Sequence, residues 1–187
     1  MFHKLVLKNR SYRRFDESCK LSRNTLEDLV ALSRICPSAG NRQSLRFRVS
    51  FEKDECDEIF SCLSWAAYLS PEGTPGEGER PSAYIVILHD TTLGACNTVD
   101  VGISAQTMLL GACERGYGGC MFGSIKRDKL KHLLGIDDRY EVQLVLALGK
   151  PVEQVVITDV KDGDIKYFRD ENCVHHVPKR TIGELIV

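Results

Sequence analysis

The 187-residue sequence predicts an α+β fold, and three observations lead there. Segments with helical and strand periodicity interleave in the order helix, strand, helix, strand, helix, helix, strand. No G-x-G-x-x-G fingerprint follows any of these strands and no Walker loop occurs, which argues against a Rossmann domain or a phosphate-loop ATPase. A chain of this length fits one domain, residues 1–187, and such a chain buries roughly 70% of its unfolded surface, so a single core suffices.

The first helix should open at Ser22, a good N-cap, with Leu21 placed to staple onto Leu26; it should bury Leu26, Leu29 and Val30 and stop before Pro37. "LRFRVSF" (45–51) alternates Leu45, Phe47, Val49 and Phe51 with Arg46, Arg48 and Ser50, the period-two mark of a strand with one buried face. A second helix spans about 54–69 and carries Ile59, Phe60, Leu63 and Ala67 on one side. Residues 70–81, "SPEGTPGEGERP", combine Pro71, Pro75 and Pro81 with Gly73, Gly76 and Gly78 and predict an exposed, mobile loop, either a lid or a plain connector. "AYIVIL" (83–88) is a buried strand.

The helix predicted over Thr98–Arg115 is small or apolar on nearly every side, so it must be buried on more than one side, centrally or against a partner subunit. A short helix over 126–134, a buried strand in "EVQLVLALG" (141–149), a last strand in "DIKYFRD" (164–170) and an extended tail, "VPKRTIGELIV" (177–187), complete the chain.

Composition narrows the function. Hydrophobic residues at 43% and charged residues at 27% are ordinary globular values. A net charge of −1 gives no overall field to draw nucleic acid or anionic lipid, so an anion site has to be a local cluster. One exists at the N-terminus, where Lys4, Lys8, Arg10, Arg13 and Arg14 precede the first acid, Asp16. Apolar runs such as 144–148 are far shorter than the roughly 20 residues of a membrane span, and no signal-peptide segment is apparent, which predicts a cytoplasmic protein. There its eight cysteines should stay reduced; none shows zinc-knuckle spacing, and no metal site is expected. His175 and His176 would point to opposite faces of a strand and cannot easily share an ion.

Four segments could carry chemistry, and none supplies a nucleophile with its base. In "NRSYRRF", Arg10, Ser11 and Arg13 offer two guanidinium forks and a hydroxyl, a set suited to a phosphate monoester, although a solvated basic arm would look the same. In "PSAGNRQ", Ser38, Asn41 and Gln43 could hydrogen-bond a polar ring edge, or serve as turn chemistry alone. "GYGGCMFGS" has glycines that would let a flat ligand approach the main chain; a bent strand would explain them equally. In "VPKRT", Lys179 and Arg180 become a specific site only if they meet the same anion as Arg10 and Arg13.

Taken together and in this order, the four segments resemble the nitroreductase family of FMN-dependent oxidoreductases, from about Leu7 to Arg180. The resemblance implies a central, mostly antiparallel sheet flanked by helices, in an intertwined homodimer with FMN at the interface. "RSYRRF" is similar to the family's Arg-Ser-x-Arg motif, which assigns Arg10, Ser11 and Arg13 to the FMN phosphate and ribityl chain. "PSAGNRQ" resembles the Pro-Ser-x-x-Asn-x-Gln loop, so Pro37, Ser38, Asn41 and Gln43 would reach the flavin of the other subunit. "GGCMFGS" would lay Met121, Phe122 and Gly123 against the isoalloxazine, and Lys179 and Arg180 would close a phosphate clamp.

Three departures from the family pattern stand out: Asn9 where many members carry arginine, Ser44 and Leu45 where a Pro-Trp pair is common, and Met121 where tryptophan is frequent. The implied activity is ping-pong hydride transfer from NAD(P)H to a nitroaromatic, quinone or similar small acceptor, with no catalytic acid or base required from the protein. Alternatives are a different flavin reaction, such as dehydrogenation or dehalogenation, a flavin-binding protein without turnover, and an interaction domain without cofactor.

Overall fold

Two continuous apolar runs form the centre of the molecule. The computed structural model describes residues 1–69 and 72–187. In chain order the elements are α1 (Phe2–Lys8), β1 (Phe15–Asp16), α2 (Arg23–Arg34), β2 (Leu45–Ser50), α3 (Lys53–Ser61), β3 (Ala83–Asp90), α4 (Thr98–Glu114), β4 (Gly118–Phe122), α5 (Arg127–Leu133), β5 (Tyr140–Pro151), β6 (Val155–Asp159), β7 (Phe168–Arg169), β8 (His175–Lys179) and α6 (Ile182–Leu185). Strands β1, β5, β3 and β2 lie side by side in that order, β4 also pairs with β5, and every one of these pairings is antiparallel.

Alternation along β3 explains its unbroken hydrophobicity. Tyr84, Val86 and Leu88 enter a core layer with Ile59 and Leu130, from α3 and α5. Ala83, Ile85 and Ile87 face the opposite layer, with Leu26 and Leu29 of α2 and Ala105 and Met108 of α4. In β5, Val145 and Ala147 join the first layer and Leu146 and Leu148 the second. A sheet covered by helices on both faces has no solvent side, so its central strands read as solid apolar runs. The register between β3 and β5 shifts once, with Ile87 opposite Leu144 and Leu88 opposite Val142.

Ser22 caps α2 as expected, its hydroxyl accepting from the Thr25 amide. Asn97 caps α4 through the Val99 amide, and Gly116, with φ +83°, ends α4 in the left-handed conformation that glycine adopts most cheaply. Leu45, Phe47, Val49 and Phe51 pack on the second core layer, while on the other face Arg48 is exposed and Ser50, at the strand end, is fully buried.

Several expectations need correction. The basic arm is partly helical: α1 packs against α4 although it lacks a side-chain N-cap and buries no residue. The helix predicted over 54–69 stops at Ser61, because Leu63 bridges to Ile125 and the Ser64 amide donates to the Ser124 carbonyl. Part of the loop predicted over 70–81 lies outside the described residues. The remainder is tethered, with Gly73, Pro75 and Pro81 buried and Glu17 accepting from the Gly78 amide at 2.7 Å.

The C-terminal region holds a second sheet in the order β6-β8-β7, where the sequence reading placed one strand over 164–170 and an extended tail. Only Phe168 and Arg169 of that stretch are strand, whereas His175–Lys179 pairs in parallel with the unpredicted β6. The tail then forms one helical turn, closed by a capping box between Thr181 and Glu184. No helix among the described residues is long and apolar enough to cross a membrane.

Candidate functional site

The N-terminal arm is pinned to the free edge of β4. Ser11 bridges to Gly119, and the Tyr12 amide donates to the Gly119 carbonyl at 3.0 Å. This close approach answers the question posed by the glycines. A Cβ on Gly118 would lie 2.6 Å from both Tyr12 and Pro151, and one on Gly119 would lie 2.4 Å from the Ala147 carbonyl oxygen. Those two glycines serve packing, while Gly123 has open space where a side chain would be.

Between this arm, α4, β4 and the second sheet lies a cleft of about 400 Å³, a volume suited to a small ligand. Asn9, Arg10, Ser11 and Arg13 line one wall, Gln106, Leu109 and Met121 the floor, and Val155, Tyr167, His175, Val177 and Lys179 the opposite wall. Cations from both ends of the chain therefore do meet. Arg10, Arg13 and Lys179 make no ion pair with a carboxylate among the described residues. Arg10 donates to the Val6 carbonyl at 2.7 Å, and the Arg13 guanidinium sits 5.1 Å from the Tyr167 ring centre. Buried atoms without partners among the described residues also occur here: Arg10 Nε and both ring nitrogens of His175.

Behind the cleft is Glu153, whose side chain is 3% exposed. Its carboxylate accepts from the amides of Arg13 and Arg14 and from Arg169 Nη2 at 2.6 Å. Burial alone would raise its pKa, yet the facing His175 ring, the Arg13 amide and the Arg169 charge together hold it down at about 2. His175 Nδ1 stands 3.8 Å away, beyond hydrogen-bond length, so Arg169 and the two amides are the direct partners.

Other predicted residues fall elsewhere. Arg180 is outside the cleft, paired with Glu184 at 3.2 Å in solvent. The Phe122 ring is in the core, packed edge-on against Trp65 with centroids 4.6 Å apart. Because Gly119 turns its carbonyl to the arm, strand alternation turns the Met121 N–H and C=O to that same edge and those of Phe122 toward β5.

Pro37, Ser38 and Gln43 line a separate hollow of about 450 Å³ with Arg46, Asp100 and Ser104, and Asn41 lies exposed near it. Asp100 holds this loop by accepting from the Ala39 amide at 3.0 Å. Both Asn41 (φ 52°) and Gln43 (φ 51°) are left-handed, a conformation that costs a non-glycine residue about 1 kcal/mol or more. Nothing in the sequence singled out Glu153, Tyr167 or Gln106, each an isolated polar or aromatic residue with no motif around it.

Residues 79–150 match the family model described as the nitroreductase family. YodC of Bacillus subtilis, provisionally named an NAD(P)H nitroreductase, is 23% identical over 180 residues, covering 79% of this chain and 89% of its own. A nitroreductase family protein of Streptococcus pneumoniae superposes with a TM-score of 0.71 at 15% identity, over 86% of this chain and 96% of that one. An FMN-dependent nitroreductase of Clostridium difficile does so with a TM-score of 0.64 at 19% identity, over 80% and 87%. The antiparallel sheet between two helical layers is thus the nitroreductase fold. The sequence matches lie beside it: this chain is similar to the nitroreductase family over residues 79–150 and to an NAD(P)H nitroreductase at 23% identity.

Proposed function

We propose that residues 1–187 form one FMN-binding domain of a cytoplasmic oxidoreductase that uses NAD(P)H to reduce nitroaromatic, quinone or similar small acceptors. The observation that carries this reading is the meeting of Arg10, Arg13 and Lys179, without a carboxylate partner among the described residues, in one cleft of a protein whose net charge is −1. Clustered cations repel one another unless an anion joins them, and a phosphate monoester with its dianionic charge matches guanidinium and ammonium donors. The names of the relatives, an NAD(P)H nitroreductase and an FMN-dependent nitroreductase, support the same cofactor and electron donor.

The fit is good at the level of donors. Among the described residues, Arg10 Nε and the His175 ring are buried polar groups in want of a partner, and Gly123, two residues beyond the cleft-lining Met121, has nothing within 4 Å of where a Cβ would stand. When bound, FMN would supply the redox chemistry, accepting a hydride from the reduced nicotinamide and passing it to the acceptor in a second half-reaction. The chain's own residues bind and orient. Arg10, Ser11, Arg13 and Lys179 would hold the phosphate and ribityl chain; Met121 would line the ring, and the main-chain N–H groups of Met121 and Gly123 would donate to it. Arg180, half exposed and paired with Glu184 at the tail turn, would contribute little.

Pro37, Ser38, Asn41 and Gln43 would serve the flavin of a second copy in a homodimer. Two features support that: their loop does not line its own protomer's cleft, and α4 leaves Val99, Gly102 and Ile103 incompletely covered, a stripe a partner could bury. The visible spectrum of purified protein before and after NADH or NADPH tests the reading. A bound flavin that bleaches is expected; colourless protein that ignores added FMN would overturn it, and sedimentation as a stable FMN-holding monomer would overturn the dimer.

A further inference from the structure

The cleft depends on cations carried by segments remote in sequence, and Glu153 is the residue that ties those segments together. It follows β5 directly, accepts from the amides of Arg13 and Arg14 in the arm, and pairs with Arg169 of β7. It also faces His175 at the start of β8, the strand that carries Lys179. Arg169 supplies the balancing charge, so the carboxylate does not cancel the cations facing the ligand. Glu153 itself does not line the cleft.

We propose that Glu153 is the positioning residue of the phosphate site: it fixes the arm bearing Arg10, Ser11 and Arg13 against the sheet bearing Lys179, so that both sets of donors face one ligand phosphate. This rests on the FMN reading above. Removing the carboxylate leaves two part-buried amides without an acceptor and Arg169, two of whose guanidinium nitrogens are already unpartnered among the described residues, without its counter-ion. The arm then loses its register with β8. A loose arm should weaken what the phosphate contributes to binding while leaving the ring pocket at Met121 and Gly123 in place.

The test compares FMN with riboflavin, which lacks the phosphate, by flavin fluorescence titration of wild type, Glu153→Gln and Glu153→Ala. Amide exchange at Arg13 and Arg14 is followed in the ligand-free proteins. Glu153→Ala should weaken FMN binding by about tenfold or more and riboflavin binding by less than about twofold, the fold-change expected when charge-assisted hydrogen bonds are lost. Glu153→Gln, which keeps an acceptor oxygen and the side-chain volume, should recover part of the FMN affinity and decides the matter if the alanine variant does not fold.

Both arm amides should exchange slowly in wild type and fast in the alanine variant. Unchanged FMN affinity, equal losses for FMN and riboflavin, or unchanged exchange would each overturn the proposal. Wild-type protein that takes up no FMN would instead sink the cofactor reading, and the exchange data would still decide whether Glu153 fixes the arm.

Discussion

All eight residues of β3 are buried, whereas β8 buries only His175 among its five. The first strand lies between two helical layers and is held by apolar area removed from water, at roughly 25 cal/mol per Å². The second belongs to a three-stranded sheet and is fastened to the rest of the chain largely through Glu153, Arg169 and main-chain amides. Apolar burial is non-directional and tolerates pH, while a buried carboxylate network is directional and depends on the charge state of its centre. The part of the protein that positions the proposed ligand is therefore the part held by the more conditional forces.

Mutation can break this contrast in either half. Ile85→Ala, in the fully buried centre of β3, should lower unfolding stability by about 3 kcal/mol, the typical cost of a large-to-small core change. Ile157→Ala in β6, where the side chain is 42% exposed, should cost well under about 1 kcal/mol in the same denaturant titration. Comparable losses at the two sites would mean that the second sheet is core after all.

Acid probes the other half. The folded-state pKa of Glu153, about 2, is below the ordinary 4.5, so its contribution is fully present above pH 4.5 and fades as pH falls toward 2. That difference corresponds to stability on the order of 3 kcal/mol. Glu153→Gln should flatten the acid limb of the stability–pH curve between those values, with little change in its shape above pH 5; a parallel curve would show that the carboxylate contributes nothing pH-dependent.

Smaller effects sharpen the site. Lys179→Ala should weaken FMN binding about tenfold, equivalent to about 1.4 kcal/mol, whereas Arg180→Ala should change it less than about twofold because Arg180 is already paired with Glu184 in solvent. Equal losses would return Arg180 to the clamp. Gln43→Gly should relieve left-handed strain and raise thermal stability by about 0.5 kcal/mol or less, since glycine gives back chain entropy at the same position. If the loop serves a second protomer's flavin, that small gain should come with weaker cofactor retention.

Legibility along the chain followed locality. The cap at Ser22, the apolar runs of β3 and β5 and the extent of α4 were readable because caps and periodicities involve neighbours a few residues apart. The end of α3 was not, since it is set by pairing of Leu63 and Ser64 with residues 124–125 rather than by any local breaker. β6 and β8 were missed for a similar reason, as each is a strand only through its partner. The glycines of β4 were visible but ambiguous until Tyr12 and Pro151 were seen filling the space at Gly118.

The matched family segment, residues 79–150, runs from just before β3 into β5 and contains none of Arg10, Arg13 and Lys179. Periodicity was enough to mark β3 and β5 as buried strands, because hydrophobic burial reads side chains one at a time. Which cations would share a cleft, which of Lys179 and Arg180 would face it, and that Glu153 would stand behind them were decided only by tertiary packing. Electrostatic interactions act through space, and chain spacing says nothing about the distance between charges at its two ends.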